Sequence, residues 1–279
     1  MARRDEGFFS AKDNLRLYWE TTYPDGEPKA HVGVVHGYGD HCGRYRGVID
    51  SLAAQGLVVH AFDYRGHGQA DGRRGFCDRF TDLIDDLDLF WQRLRGAAQG
   101  KKTFLLAHSN GGLMAVHWVL ARRPEGLAGL LLSAPYLRLA LTPPASKIFA
   151  AKVVGRMLPW LPIKTELTPQ DLTRDLDEQR KVEKDPLYNR MVTPRWFIES
   201  GKAQLEAMAQ AGGLKSPLLV FCGEADKVAS PDAAREFFEH AGSADKRFKV
   251  YPGMRHEPLN EIGREEVYRD ISGWISEHL

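Results

Sequence analysis

The clearest chemical signal in the sequence is a serine placed where a strand pattern meets a helix pattern. Residues 103–112 read Thr-Phe-Leu-Leu-Ala-His-Ser-Asn-Gly-Gly, so Ser109 has small residues two positions before and two positions after it. A sharp turn at such a junction raises a serine hydroxyl above the edge of a sheet, and small residues let the strand and the helix approach closely. The pattern alone is weak, but it occurs once in this chain and at the junction that the turn requires. We therefore predict that Ser109 is a nucleophile rather than a structural turn serine.

A base must take the proton of the serine hydroxyl, and the chain contains ten histidines. His256 follows a predicted strand over residues 248–251 and a Pro-Gly turn, so it lies in a loop at the carboxyl end of that strand. Catalytic groups of open α/β sheets gather at this edge, which makes His256 the predicted base. Histidines in or beside predicted elements are interpreted as packing, surface or helix-end residues; these are His31, His60, His117, His240 and His278.

An acidic residue that lies between the serine and the histidine in chain order would orient the imidazole. Residues 221–228 read Phe-Cys-Gly-Glu-Ala-Asp-Lys-Val and leave a predicted strand for a loop, which offers Glu224 and Asp226. We favour Asp226, because it lies further into the loop and can reach the histidine. Its role would be to hold the imidazole tautomer and to stabilise the imidazolium without being protonated itself.

Acyl transfer also needs backbone N–H groups aimed at the negative charge that develops on the carbonyl oxygen, and losing one such donor costs about 3–4 kcal/mol. The N–H of Asn110, directly after the serine, is one predicted donor. Residues 34–39 read Val-Val-His-Gly-Tyr-Gly and end a predicted strand in a glycine-containing loop, whose Tyr38 N–H is the second predicted donor. We interpret His36 as a residue that braces this loop rather than as a base.

The elements that hold these residues alternate between short apolar strands and longer segments of helical period. This alternation predicts an α/β fold with a mostly parallel sheet covered by helices on both faces. The apolar strand segments are residues 32–35, 57–62, 103–107, 130–133, 218–222 and 248–251, preceded by an antiparallel hairpin over 7–10 and 15–21. Helices are predicted over 81–95 and 113–121, from 230–231 onward, and over 264–278.

The strand pattern stops between residues 136 and 213, where prolines interrupt short helical segments. We interpret residues 136–213 as a helical cap inserted into a core that comprises residues 1–135 and 214–279. The length of 279 residues suits one α/β domain with such an insertion.

Composition and charge limit the partners and the compartment. The 38 Lys and Arg residues against 37 Asp and Glu residues leave a net charge of +1, which lacks the basic excess that nucleic-acid binding requires. The three cysteines, Cys42, Cys77 and Cys222, argue against a disulfide framework. The first residues lack the apolar segment of a secretory signal, and the longest apolar run, residues 127–137, is far shorter than the ~20 residues of a membrane span. We therefore expect a soluble, cytoplasmic protein.

Four motifs follow one another along the chain in a fixed order. They are His-Gly-Tyr-Gly-Asp-His-Cys-Gly-Arg-Tyr at 36–45, Asp-Tyr-Arg-Gly-His-Gly at 63–68, His-Ser-Asn-Gly-Gly at 108–112 and Tyr-Pro-Gly-Met-Arg-His-Glu at 251–257. Together they resemble the monoglyceride lipase and lysophospholipase branch of the α/β-hydrolases. The resemblance covers nearly the whole chain and is weakest in the cap.

The resemblance implies an eight-stranded α/β-hydrolase sheet with a helical cap above the site, no cofactor or metal, and hydrolysis of carboxylic esters of acyl chains. It maps the family's serine, aspartate and histidine onto Ser109, Asp226 and His256, and its oxyanion amides onto Tyr38 and Asn110. The expected activity is that of a monoacylglycerol lipase or a lysophospholipase-like esterase acting on a small acyl ester. The sequence carries no feature that sets an oligomeric state.

Three residues depart from the usual pattern of this branch. Ala107 replaces a glycine in the turn, Asn110 stands where methionine is common, and Cys42 stands where serine is common. The first two keep the backbone donors but can change the turn and the floor of the acyl pocket. The loop at residues 36–39, which carries the predicted Tyr38 donor, is called the oxyanion loop below. Because Cys42 lies beside this loop, we also hypothesise that thiol reagents inhibit the activity.

The start of the predicted cap is strongly apolar, and three interpretations of it remain open. It would line an acyl channel, contact a lipid surface as a peripheral membrane protein does, or pack on the hydrolase core. The apolar residues are Ile148, Val153, Val154, Met157, Leu158, Trp160 and Leu161, with Lys152 and Arg156 on another face.

Two other functions are compatible with the same scaffold. A prolyl-type aminopeptidase would need carboxylates to grip a free amine, for which Glu199 and Glu206 near the end of the cap are the candidates. A non-catalytic binding protein would use the pocket without the chemistry, which a complete set of serine, acid, base and oxyanion donors argues against.

Overall fold

A sheet of eight strands lies at the centre of the computed structural model, which describes residues 3–141, 144, 146 and 153–279. The order across this sheet is β1-β2-β4-β3-β5-β6-β9-β10, in which β1 and β2 run antiparallel to their neighbours and the remaining pairs are parallel. In chain order the strands are β1 (Arg4–Ser10), β2 (Arg16–Thr22), β3 (Ala30–Val35), β4 (Leu57–Asp63), β5 (Thr103–His108), β6 (Leu127–Ser133), β7 (Ile163–Lys164), β8 (Met191–Val192), β9 (Leu218–Gly223) and β10 (Lys246–Tyr251). The two-residue strands β7 and β8 form a separate antiparallel pair.

Helices cover both faces of the large sheet. They are α1 (Arg46–Ala54), α2 (Phe80–Ala98), α3 (Asn110–Arg122), α4 (Pro169–Leu172), α5 (Leu176–Lys184), α6 (Pro194–Gln210), α7 (Pro231–His240) and α8 (Arg264–Glu277). One core cluster joins α2, α3, α6 and α7 to one face, and a second joins α1 and α8 to the other. The predicted α/β fold with a mostly parallel sheet is therefore confirmed.

Burial on both faces explains why the central strands read as apolar runs instead of alternating patterns. In β5, Leu105 and Ala107 belong to the cluster on one face, whereas Phe104 and Leu106 belong to the cluster on the other. Every residue of β3, β4, β5 and β9 is buried. Each predicted strand is present. Strand β2 begins and ends one residue later than predicted, and the other predicted segments are extended by one to three residues.

The strand register brings the loops that carry the motifs to one edge of the sheet. Val35 of β3 pairs with Ala107 of β5, and Ser133 of β6 pairs with Phe221 of β9. Because these parallel strands end at the same level, the loops that follow β3, β5, β9 and β10 meet at their carboxyl ends.

The segment between β6 and β9 contains helices α4, α5 and α6 and the small β7–β8 pair. The prediction that strands are absent between residues 136 and 213 is therefore wrong for the four residues of β7 and β8. Strands of two residues are too short to show an alternating pattern in the sequence. Ile148 and Lys152 lie outside the described residues. Among the described residues, no helix is both long and apolar enough to cross a membrane.

Candidate active site

Ser109 lies in a strained turn between β5 and α3. Its backbone has φ +52° and ψ −117°, a left-handed conformation that a serine adopts only when its surroundings enforce it. The Ser109 N–H donates to the Ser133 carbonyl at 2.9 Å, and the Ser109 carbonyl accepts from Tyr136 N–H at 3.0 Å. A Cβ at Gly111 would lie 2.5 Å from the His36 carbonyl oxygen, so the turn requires glycine there.

The methyl group of Ala107 is fully buried and belongs to the core cluster on one face of β5. The strained turn at Ser109 is formed with alanine in place of glycine at this position. Sequence reasoning placed the strand, the turn and the helix in the correct order, although α3 begins at Asn110, three residues earlier than predicted.

The structure brings Ser109, His256 and Asp226 together from three separate loops. The Ser109 hydroxyl donates to His256 Nε2 at 3.0 Å, and His256 Nδ1–H donates to Asp226 Oδ2 at 2.8 Å. Ser109 is 7% exposed and His256 is 4% exposed, so solvent has little access to this hydrogen-bonded chain. The arrangement has the geometry of a nucleophile, a base and an orienting acid.

The carboxylate of Asp226 is held in one orientation by the backbone. Its Oδ1 accepts from the N–H groups of Val228 and Ala229 at 2.8 and 3.0 Å, which leaves Oδ2 for the imidazole. Glu224, the alternative acid, points elsewhere and accepts from Gly253 N–H at 3.1 Å. The geometry thus selects Asp226 from the two residues that the sequence left open.

Opposing effects act on the pKa of His256. Burial alone would lower it, but the charge of Asp226 and the hydrogen bond to it outweigh burial, so the pKa of His256 is raised above its usual value. The imidazolium that forms when His256 takes a proton is therefore stabilised in this site.

The loop that follows β3 lies directly against the serine. A Cβ at Gly37 would stand 3.2 Å from Ser109 Cβ, so glycine permits this approach. His36 Nδ1–H donates to the Gly37 carbonyl at 2.7 Å, which is the bracing role predicted for His36. Neither the Tyr38 nor the Asn110 backbone N–H donates to another group in the part of the chain that the structure describes. Both donors are available for a developing oxyanion.

A buried ion pair, which sequence reasoning missed, connects this loop to the loop of His256. Arg44 donates two hydrogen bonds to Glu257, at 2.9 and 2.7 Å, and a third to Asp40 at 3.2 Å. Burial alone would raise the pKa of Glu257, but Arg44 lowers it to about 2. Arg44 and Glu257 are separated by 213 positions, so no local spacing could reveal their contact.

We expect Arg44→Met to destabilise the fold by about 3–5 kcal/mol, because it leaves two buried carboxylates without their cation. Urea unfolding at pH 7 measures this change. The matched control is Arg247→Met, since Arg247 and its partner Glu277 are 54% and 53% exposed. That control should cost less than about 1 kcal/mol. Equal effects of the two substitutions would contradict the importance of the buried pair.

The other histidines near the site have structural partners. Burial lowers the pKa of His67 to about 4 and that of His108 to about 3, so both are neutral near pH 7. His67 Nδ1–H donates to the Arg65 carbonyl at 3.0 Å. His31 and His60 lie within strands β3 and β4, and a hydrogen bond of 2.9 Å joins their two rings.

Cys42 is buried beside the oxyanion loop, and burial together with the charge of Asp63 raises the pKa of its thiol well above the usual value. The thiolate is the reactive form of cysteine, so this thiol is protected in two ways. The structure therefore argues against the hypothesis that Cys42 makes the activity sensitive to thiol reagents.

The segment between β6 and β9 contacts the oxyanion loop directly. Asn189 N–H donates to the Gly39 carbonyl at 2.7 Å, and the Tyr38 hydroxyl lies 2.9 Å from the Met191 carbonyl oxygen. The Tyr38 ring packs on Trp196 of α6 with 3.7 Å between ring centroids. Helix α6, strand β8 and the residues just before β8 thus cover the loop that presents the Tyr38 N–H.

Much of the apolar start of this segment faces solvent. The large apolar side chains there are between 40% and 75% exposed; they are Val153, Met157, Leu158, Trp160, Leu161, Ile163 and Leu167. Of the remaining residues singled out from the sequence, Val154 is partly buried and Ile148 lies outside the described residues. The interpretation that this segment packs on the hydrolase core therefore accounts for only part of the surface of these side chains.

The candidate carboxylates of an aminopeptidase do not form a pair that faces the serine. Glu199 accepts from Lys202 at 2.9 Å, and Glu206 is exposed on α6. Within residues 3–141, 144, 146 and 153–279, no group of three or more His, Cys, Asp or Glu side chains could hold a metal ion.

Comparisons of the sequence and of the structure with known proteins agree with one another. Residues 26–263 match the model of the family described as serine aminopeptidase, S33. The chain is 30% identical to the monoacylglycerol lipase of Mycolicibacterium smegmatis, over 99% of this chain and 98% of that protein. It is 34% identical to the monoglyceride lipase of Homo sapiens, over 93% of this chain and 86% of that protein. The crystal structure of the Paleococcus ferrophilus monoacylglycerol lipase superimposes with a TM-score of 0.83 at 29% identity and covers both chains fully.

Proposed function

The chain belongs to the serine aminopeptidase S33 family, in the monoglyceride lipase and lysophospholipase branch of the α/β-hydrolases, and from that premise we propose that it hydrolyses monoacylglycerols. It is a carboxylic ester hydrolase of the α/β-hydrolase fold. The observation that carries the proposal is the continuous hydrogen-bonded chain from the Ser109 hydroxyl through His256 to Asp226.

In the proposed mechanism, His256 Nε2 takes the proton of the Ser109 hydroxyl as the oxygen attacks the ester carbonyl. The resulting oxyanion accepts hydrogen bonds from the N–H groups of Tyr38 and Asn110. His256 then donates the proton to the leaving glycerol oxygen, which completes the acyl-enzyme. Water, deprotonated by the same imidazole, attacks the acyl carbon and releases the fatty acid and Ser109.

The charge next to the site favours an uncharged headgroup over a phosphate. Arg44 is a buried cation on the His256 side of the site, and it is already bound by Glu257 and Asp40. A phosphate that competed for Arg44 would have to displace two buried carboxylates. Monoacylglycerol therefore fits this environment better than a lysophospholipid does.

The exposed apolar side chains between Val153 and Leu167 support a contact with the lipid phase that holds the substrate. Soluble proteins rarely expose large apolar side chains in one stretch of chain without a partner. We propose that residues 136–213 act as a cap whose apolar part rests on a lipid surface, while residues 1–135 and 214–279 form the hydrolase core. In this proposal the protein works on the cytoplasmic side of the membrane.

A hydrolysis panel tests the proposed substrate class. It compares a monoacylglycerol with a lysophosphatidylcholine of the same acyl chain and with aminoacyl and prolyl p-nitroanilides, using Ser109→Ala as the background control. We expect kcat/KM for the monoacylglycerol to exceed that for the lysophospholipid by at least about tenfold, and the anilides to give no turnover above background. Faster cleavage of a prolyl anilide than of the glycerol ester would overturn the proposal.

A further inference from the structure

The peptide group between Gly37 and Tyr38 is held by two hydrogen bonds on its carbonyl oxygen. His36 Nδ1–H donates to this oxygen at 2.7 Å, and the Tyr64 hydroxyl donates to it at 2.8 Å. The N–H of the same peptide group belongs to Tyr38 and is one of the two oxyanion donors proposed above. Groups that bind this carbonyl therefore set the direction of that N–H.

The side chain of Asn110 extends this arrangement by one further hydrogen bond. Its Nδ2–H donates to the Tyr64 hydroxyl oxygen at 3.2 Å. The orientation of the amide is fixed, because the single hydroxyl proton of Tyr64 points to the Gly37 carbonyl, which can only accept. Tyr64 can then only accept from Asn110, which must present its NH2 group.

This orientation leaves Asn110 Oδ1 buried without a hydrogen-bond partner among the described residues. An unpaired buried acceptor lowers stability, so a polar side chain at this position calls for an explanation. An apolar side chain would avoid that cost and would keep the backbone N–H of residue 110. The amide is therefore explained best by what its NH2 group does to Tyr64.

We propose that Tyr64 and Asn110 are positioning residues that strengthen the oxyanion hole. The relay runs from the Asn110 NH2 group to the Tyr64 hydroxyl and on to the Gly37 carbonyl, and it ends at the Tyr38 N–H. Hydrogen bonds in such a chain polarise one another, so the Tyr38 N–H becomes a stronger donor and is aligned before the oxyanion forms. Because Asn110 also supplies the second backbone donor, one residue links both donors of the hole. This inference rests on the proposed serine mechanism.

Two substitutions remove the two polar groups of the relay and keep both backbone donors. The Tyr64 ring stacks on His36 with 4.1 Å between centroids and an interplanar angle of 9°, a contact that phenylalanine preserves. Tyr64→Phe removes the hydroxyl alone, and Asn110→Met removes the amide but keeps the backbone N–H. The matched control is Tyr18→Phe, since Tyr18 is buried on strand β2 and donates to Glu6 at 2.7 Å.

The experiment measures kcat and KM of Tyr64→Phe, Asn110→Met, the double variant and Tyr18→Phe on one monoacylglycerol. We expect Tyr64→Phe to lower kcat about tenfold, a fraction of the loss seen when a donor is removed outright. Asn110→Met should lower kcat about threefold. The double variant should equal Tyr64→Phe alone, because Asn110 acts through the Tyr64 hydroxyl. KM and the activity of Tyr18→Phe should stay within about twofold of wild type.

Inhibitor binding separates a positioning role from a merely structural one. Affinity for a trifluoromethyl ketone, whose serine adduct carries an oxyanion, should fall by the same factor as kcat. Affinity for the monoalkyl glycerol ether, which has no carbonyl, should not change. Unchanged kcat and ketone affinity in both single variants would overturn the relay, as would equal losses of ketone and ether affinity. Complete labelling of Ser109 by a fluorophosphonate in the same variants keeps the relay's failure distinct from failure of the serine mechanism.

Discussion

Replacing Ser109 by alanine is expected to reduce hydrolysis of monoacylglycerols and of short p-nitrophenyl esters by about 10⁶-fold. The substitution removes the only atom that the proposed mechanism places in bonding contact with the ester carbonyl. The fold should be unchanged, because the strained backbone at Ser109 is held by its own N–H and C=O groups, which alanine retains. Initial rates with high enzyme concentrations measure the residual activity.

Two further variants complete this test. Adding His256→Ala to Ser109→Ala should cost little more, because residues that act as one unit are not additive. Ser272→Ala is the matched control, since Ser272 is buried on α8 and its hydroxyl donates to the Arg269 carbonyl at 3.0 Å. That control should keep wild-type turnover. Substantial turnover by Ser109→Ala would reject the assignment of the nucleophile.

The substitution Asp226→Asn is expected to lower kcat by about 10⁴-fold although it preserves size and shape. The N–H groups of Val228 and Ala229 both point at Oδ1, so the asparagine would place its carbonyl oxygen there. Its NH2 group would then face His256 Nδ1 and force that nitrogen to accept. The proton would move to Nε2, which could no longer take a proton from Ser109.

The pH dependence of kcat/KM provides a second measurement on the same variant. His256 must be neutral to act as a base, so activity falls as the pH drops through its pKa. In the wild-type protein Asp226 overcomes the effect of burial and raises this pKa, so the acid limb lies above the usual histidine value. Without the carboxylate, burial dominates, and the limb should move to lower pH. An unmoved limb together with wild-type kcat would contradict the role of Asp226.

The sequence could predict those parts of the site that depend on local patterns. The turn at Ser109 lies between a fully buried strand and a helix and is flanked by small residues. Each of these features is visible in a sequence segment of ten residues. His256 and Asp226 could be placed because parallel strands carry their following loops to one edge of the sheet. The order of the strands in the sheet determines which loops meet. The choice between Asp226 and Glu224 depends on backbone hydrogen bonds to their carboxylates, which the spacing of residues in the sequence does not reveal.

Contacts between distant segments that neither a motif nor a strand end marks could not be predicted. Arg44 and Glu257 pair across most of the chain, and each alone looks like an ordinary charged residue beside a motif. Tyr64 and Asn110 lie 46 positions apart and meet only because β4 and β5 lie on either side of β3 in the sheet. The sequence could not tell that Cys42 is buried or that the apolar residues after position 153 face solvent, since both depend on how segments pack.

The most direct test of the account is to locate the site of covalent labelling by a fluorophosphonate, using peptide mass spectrometry on the full chain. The probe phosphonylates a serine only where a base and an oxyanion hole activate it. We predict stoichiometric modification of Ser109, slowed by excess monoacylglycerol and absent from Ser109→Ala. Modification of any other residue, or an unlabelled Ser109 in protein that hydrolyses esters, would contradict the account.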